Sequence, residues 1–184
     1  MKRFIKKLLA RVGFLHPALG IKISPERKAA IILEHKTPYL KIFAETGTHE
    51  GWMIDRVEDR FEKVYSIELD EGLYRRALKR FQGRGHIQLL HGDSAFEIKK
   101  VLTEINEPAL FWLDAHGSGA ITATSTPILN ELKAIFTHSV KGHSILIDDA
   151  RHFDRKTIRM VNKMAKSHNY TFAIEDGIFI LHGR

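Results

Sequence analysis

From Tyr39 onward, short apolar runs alternate with amphipathic stretches, and this alternation narrows the fold more than any other feature of the chain. The runs are Lys41–Glu45, Lys63–Glu68, Ile87–Leu90, Ala109–Leu113 and Ser144–Ile147. Each has the length of a strand rather than of a helix. Between them apolar residues recur at helical spacing: Leu73, Ala77, Leu78 and Phe81, then Ile98, Val101, Leu102 and Ile105, then Leu129, Leu132, Ile135 and Phe136. A fourth helix is marked by Ile158, Val161 and Ala165. Strands separated by helices pair in parallel, and the helices cover both faces of the sheet. The last two runs, Tyr170–Glu175 and Ile178–Leu181, are joined by Asp176-Gly177, a hairpin signal. The expected fold class is α/β: a doubly wound, mostly parallel seven-stranded sheet with an antiparallel C-terminal strand and helices on both faces.

Charge divides the chain at a different place. The net charge is +7, and residues 1–28 hold eight basic residues against one acid, Glu26. The rest of the chain balances 21 basic with 21 acidic residues. A nucleic-acid-binding body normally carries a basic stripe of its own, so nucleic acid is not the expected partner. Residues 1–12 place Phe4, Ile5, Leu8, Leu9 and Val12 on one helical face, with Lys2, Lys6, Lys7 and Arg11 off it. Two readings of this segment stand: a helix docked on the domain or on a second subunit of a homo-oligomer, or a helix in weak contact with an anionic membrane. It lacks the unbroken apolar stretch and cleavage site of a signal peptide. Ser24 and Pro25 then start a second helix over Pro25–His35. Residues 1–38 are thus a basic, amphipathic, helical segment preceding a domain over 39–184. The expected location is cytoplasmic, with peripheral attachment to the inner membrane face under the second reading. The chain has no cysteine, which excludes disulfides, thiolate metal sites and a cysteine nucleophile.

In an open α/β sheet, ligands bind beyond the carboxyl ends of the strands. The residues there are Glu45-Thr46-Gly47-Thr48-His49-Glu50-Gly51, then Glu68, then Gly92-Asp93-Ser94, then Asp114-Ala115-His116, then Asp148-Asp149. Every central strand therefore ends in a carboxylate. One such acid is explained by helix capping; five in succession exceed what capping requires. Neither the dinucleotide fingerprint nor a phosphate loop is present, and an acid at Glu45 disfavours a phosphate and suits a cationic ligand. Glu68 can accept from two ribose hydroxyls, and Asp93 from an adenine amino group.

In order and in type, these residues resemble the motifs of the class I S-adenosylmethionine-dependent methyltransferases, which share a Rossmann-like sheet. The resemblance covers about residues 39–182. It implies S-adenosylmethionine as cofactor, bound by Glu45, Thr46, Gly47, Thr48, Gly51, Glu68, Asp93, Ser94 and Asp114. Thr48-His49 replaces the second glycine usual in the first motif. Asp114 and the Asp148-Asp149 pair further resemble the magnesium ligands of the macrocin-type O-methyltransferases, which implies a Mg²⁺ ion on Asp114, Asp148 and Asp149. The long insertions of those enzymes are absent here.

The function expected on this basis is methyl transfer to a hydroxyl of a small molecule or glycan. His116 is the candidate general base, alongside Asp114, while His49, His143 and His152 are weaker candidates. Gly117–Ser125, small and polar, reads as a substrate lid or a plain surface loop. Two rivals remain at this stage: an RNA methyltransferase of the same fold, and a non-catalytic adenosyl-ligand-binding or membrane-associated protein.

Overall fold

A computed structural model describes residues 23–114 and 127–183. The basic segment 1–12, the candidate base His116 and the Gly117–Ser125 stretch lie outside the described residues. Among those described, no helix is long and apolar enough to cross a membrane.

The first helix, α1 (Pro25–Glu34), starts where the sequence places it: the Ser24 side chain accepts from the Arg27 N–H and Pro25 occupies the first turn. Then follow β1 (Ile42–Thr46), α2 (Trp52–Val57), β2 (Lys63–Glu68), α3 (Glu71–Arg80), β3 (Ile87–His91), α4 (Ser94–Glu104) and β4 (Ala109–Leu113). The chain continues with α5 (Pro127–Thr137), β5 (Ser144–Ile147), α6 (Arg155–Ser167), β6 (Ala173–Glu175) and β7 (Ile178–His182). The seven strands lie in the order β3-β2-β1-β4-β5-β7-β6. The first five are parallel, and β7 runs antiparallel between β5 and β6. This is the expected architecture.

Side chains of successive strand residues point to opposite faces. Ile42 and Ala44 of β1, with Ala109, Phe111 and Leu113 of β4, pack in one core with residues of α4, α5 and α6. Phe43, Leu110 and Trp112 pack in the other, with residues of α1, α2 and α3. Helix α1 contributes Ala29, Ile31 and Ile32 to that second core, with both isoleucines fully buried. Burial of each isoleucine stabilises the fold by roughly 1.5–3 kcal/mol.

The register decides where a site can form. Thr46 pairs with Ile67 on one side and with Leu113 on the other, Leu113 pairs with Ile147, and Ile67 with Leu90. Five parallel strands therefore release their chains at one level. The sequence leaves β1 toward β2 and β3, then returns to β4 on the other flank of β1, so the topological switch point lies between Thr46 and Asp114.

Several ends shift by one residue from the sequence reading, and one strand differs by more. The strand expected over Tyr170–Glu175 is reduced to Ala173–Glu175, with Tyr170 bridging Gly183 alone. The His182 N–H donates to the Thr171 hydroxyl instead of to a main-chain carbonyl, which interrupts the ladder. The hairpin itself forms as the sequence indicates, with Asp176 and Gly177 both at positive φ, 47° and 80°.

Gly51 starts α2 at φ 76°, and a Cβ placed there would lie 2.7 Å from the Phe81 ring. Gly83 has φ 85° and open space around it. Gly51→Ala should lower unfolding free energy by about 2–4 kcal/mol, and Gly83→Ala by only about 1–2 kcal/mol, in urea denaturation. Equal losses at the two positions would show that contact with Phe81 plays no part.

Candidate active site

The loop after β1 is pinned across the end of β2. The N–H groups of Gly47 and Thr48 both donate to the Ile67 carbonyl, at 2.9 and 3.3 Å. Gly47 and His49 take left-handed backbone, φ 85° and 49°, and turn the chain back toward the sheet. Beneath this loop Glu45 is 2% exposed. Its carboxyl accepts from Ser66 Oγ at 2.7 Å, and Ser66 is in turn hydrogen-bonded to Thr48 Oγ1. Burial pushes the Glu45 pKa up to about 8; the Ser66 hydrogen bond opposes this and the Glu68 charge adds to it. Through Ser66 and Thr48, Glu45 braces the loop from below.

Glu68, also buried, accepts from the His49 N–H at 2.7 Å and from the Asp70 N–H at 2.9 Å. Each of its oxygens retains a further lone pair for a ligand. Gly92 donates to the Glu68 carbonyl at 2.9 Å, which holds the β3 loop against β2. In that loop the Asp93 side chain caps α4 through the Ala95 N–H at 2.9 Å, with Ser94 buried beside it. Two large apolar side chains, Leu69 and Phe96, are exposed directly after Glu68 and after the Asp93-Ser94 turn.

Beyond the switch point the acids converge. The Asp114 N–H donates to the Thr46 carbonyl and the Asp148 N–H to the Leu113 carbonyl, each at 3.1 Å, so the ladder continues into both turns. Asp149 is held at φ 49° while the next N–H, of Ala150, donates 2.8 Å to the Gly177 carbonyl in the β6–β7 turn. This left-handed step allows both members of the pair to face Asp114. Ligand oxygens of Asp114, Asp148 and Asp149 lie within 4.8 Å of one another. Burial, and then the Asp148 carboxylate, push the Asp114 pKa up to about 8, while Lys28 pulls it down. Asp149 is also paired with Arg151 at 3.0 Å. Three oxygen donors at this spacing suit a hard divalent ion.

The sequence reading missed two residues at this edge. Lys28 of α1 makes a direct ion pair with Asp148. Although burial acts to lower the Lys28 pKa, the bond to Asp148 and the charges of Asp148, Asp114 and Asp149 raise it above its ordinary value. Glu131 of α5 is 1% exposed, beside Thr46, Ser94 and Asp93, and burial pushes its pKa up to about 7. Its Oε1 has no hydrogen-bond partner among the described residues. Both residues had a signal. Lys28 falls at helical spacing with Ile31, Ile32 and His35, and Glu131 with Ile128, Leu132 and Ile135, so each is a charge on an apolar stripe.

The weaker candidates separate. His49 belongs to the pinned loop. His152 is exposed, 3.6 Å from Asp149. His143 is fully buried just before β5, at the opposite edge of the sheet, where its Nδ1 accepts from the Ala109 N–H at 3.1 Å. Burial depresses its pKa to about 4.

No family model matches the chain, and no curated protein matches it. Solved structures do resemble it. An O-methyltransferase of tomaymycin synthesis from Streptomyces achromogenes, determined with S-adenosylmethionine, superposes with a TM-score of 0.62 at 14% identity, over 98% of this chain and 93% of that one. An amino pentose methyltransferase of calicheamicin biosynthesis from Micromonospora echinaspora, also with S-adenosylmethionine bound, gives 0.61 at 12% identity, over 95% and 100%. A 23S rRNA methyltransferase gives 0.54 at 15% identity, over 89% and 69%. The chain thus has the fold of S-adenosylmethionine-dependent methyltransferases that act on chemically different acceptors.

A carboxyl whose pKa is higher in the folded than in the unfolded chain contributes stability that is full below its ordinary value and is lost as pH rises through the folded value. For Glu45 that window runs from 4.5 to about 8. Glu45→Gln, which keeps the shape and cannot ionise, should flatten the fall in melting temperature between pH 5 and pH 8. An unchanged slope in the variant would mean that Glu45 is ionised in the native protein.

Proposed function

We propose that the chain is an S-adenosylmethionine-dependent methyltransferase acting on a hydroxyl of a small molecule or glycan, with assistance from Mg²⁺. The observation that carries this reading is the row formed by Glu68, the Gly47–Gly51 loop, Asp114 and the Asp148-Asp149 pair along one edge of the sheet. In this reading the remaining lone pairs of Glu68 accept from the ribose hydroxyls, Asp93 and Ser94 bound the adenine side, and the Thr46–Thr48 backbone underlies the methionine part. S-adenosylmethionine supplies a methyl group on a positively charged sulfur. The neutral balance of charge beyond residue 28 supports a small acceptor over RNA.

Asp114, Asp148 and Asp149 would hold the Mg²⁺, which supplies a Lewis acid that lowers the pKa of a hydroxyl. Asp114, at the switch point, borders both the donor and the acceptor sides. His116, two residues further along, is the proposed base for the acceptor proton, a role that rests on its position in the sequence. Most of the rate enhancement would come from holding donor and acceptor in line and from charge placed at the attacking oxygen. The amphipathic pattern of residues 1–12 supports weak contact with anionic lipid as a further property of the chain.

Calorimetric titration tests the donor. S-adenosylmethionine and S-adenosylhomocysteine should bind and NAD should not, and Glu68→Ala should weaken binding of both adenosyl ligands by about 1–3 kcal/mol. Binding of NAD as tight as that of the adenosyl ligands would sink the assignment. Chelation should abolish methyl transfer while leaving S-adenosylhomocysteine affinity nearly unchanged, and Asp149→Asn should lower turnover far more than melting temperature. Full turnover in the presence of a chelator would remove Mg²⁺ from the reading.

A further inference from the structure

Helix α1 delivers a lysine into the acidic cluster, and nothing in the reaction proposed above uses it. The Lys28 ammonium touches Asp148, whose side chain is 2% exposed, and is itself largely covered. The helix that carries it cannot drift. Arg27 donates to Asp176 at 2.9 Å and to Glu175 at 3.2 Å, which ties the first turn to the β6–β7 hairpin. At the other end the His35 ring contacts His182 at 3.0 Å and Glu175 at 3.1 Å. Between these anchors Ala29, Ile31 and Ile32 are buried in the core. The backbone of residue 28 is therefore fixed beside β5, and only the four-carbon stem of the lysine is free to withdraw.

We propose that Lys28 is the resident cation of the Asp114–Asp148–Asp149 cluster, and that a divalent ion enters only by displacing it. The inference rests on reading the three carboxylates as a metal site. An ammonium on Asp148 and a dication on a cluster of oxygens 4.8 Å across compete, since Asp148 would serve both and the two cations repel. Seating of Lys28 and metal occupancy exclude each other. The affinity for metal is thus set by the competition with a tethered lysine as well as by the three ligands. In exchange, the metal-free chain is spared a buried Asp148 without its cation beside Asp114.

Direct binding of Mn²⁺, read by calorimetry or by loss of the free-ion EPR signal, tests this without an activity assay. Lys28→Met should bind Mn²⁺ at least 10-fold more tightly than the unaltered chain. Lys41→Met removes a charge from an exposed pair with Glu62 and should leave Mn²⁺ affinity unchanged. A second measurement needs no variant: acetylation of Lys28, followed by mass spectrometry, should rise several-fold when Mn²⁺ is added to the unaltered protein. Equal Mn²⁺ affinities for Lys28→Met and the unaltered chain, equal gains for both methionine variants, or a Lys28 acetylation rate indifferent to Mn²⁺ would each overturn the proposal while the metal site stands. If neither the unaltered chain nor Lys28→Met binds Mn²⁺, the metal reading fails and the proposal fails with it.

Discussion

The hydrogen-bonded pairing of β1 with β2 on one flank and with β4 on the other is the constraint on which the rest of this structure depends. All five residues of β1 are buried, and its last residue, Thr46, stands level with Ile67 and Leu113. That shared level lets the turns after β1 and β4 take up one another's main-chain groups: Gly47 bonds to Ile67, Asp114 to Thr46 and Asp148 to Leu113. A slip of one residue in a strand would reverse which side chains face each core. It would also turn Glu68 or Asp114 away from the crevice. The edge that gathers the acids is thus held by backbone pairing, and the side chains are presented by it.

The collected acids carry an electrostatic cost, which the structure meets in three ways. Glu45 is enclosed, with burial raising its pKa and Ser66 as its hydrogen-bond partner. Glu68 accepts hydrogen bonds from the main-chain N–H groups of His49 and Asp70. The cluster at β4 and β5 is met by Lys28, brought from the other end of the chain. Glu131 keeps a buried oxygen without a hydrogen-bond partner among the described residues, and burial drives its pKa up to about 7. Acids that look alike in the sequence therefore differ in burial and in hydrogen-bond partners along one edge of the sheet.

Helix α1 joins this electrostatic arrangement to the core. Its apolar face closes the second face of the sheet, while Arg27, Lys28 and His35 reach three separate places on β5, β6 and β7. One helix of ten residues thereby contributes to stability through its isoleucines and to the site through its lysine. That coupling gives a physical reason for the chain to keep a helix ahead of β1.

The sequence by itself determined the class of fold. The bounds of β2, β4 and β5 follow from runs of fixed length with turn residues at their ends, and the Asp176-Gly177 turn follows from local backbone preference. It also determined that carboxylates stand after each central strand, since parallel strands leave no other place for Glu68, Asp93, Asp114 and Asp148. What only the tertiary structure decided is which of those acids meet and which are buried. Asp149 joins Asp114 because the chain takes a left-handed step beside Gly177, a residue 28 positions away. Glu45 has its pKa raised because it is buried beneath the loop after β1. Lys28 belongs to the acidic cluster because α1 packs against the far half of the sheet, an arrangement fixed by burial of Ile31 and Ile32. In the sequence the only mark of that contact is a lysine on an apolar stripe, because the partner that neutralises it is 120 residues away and comes near only when the cores form.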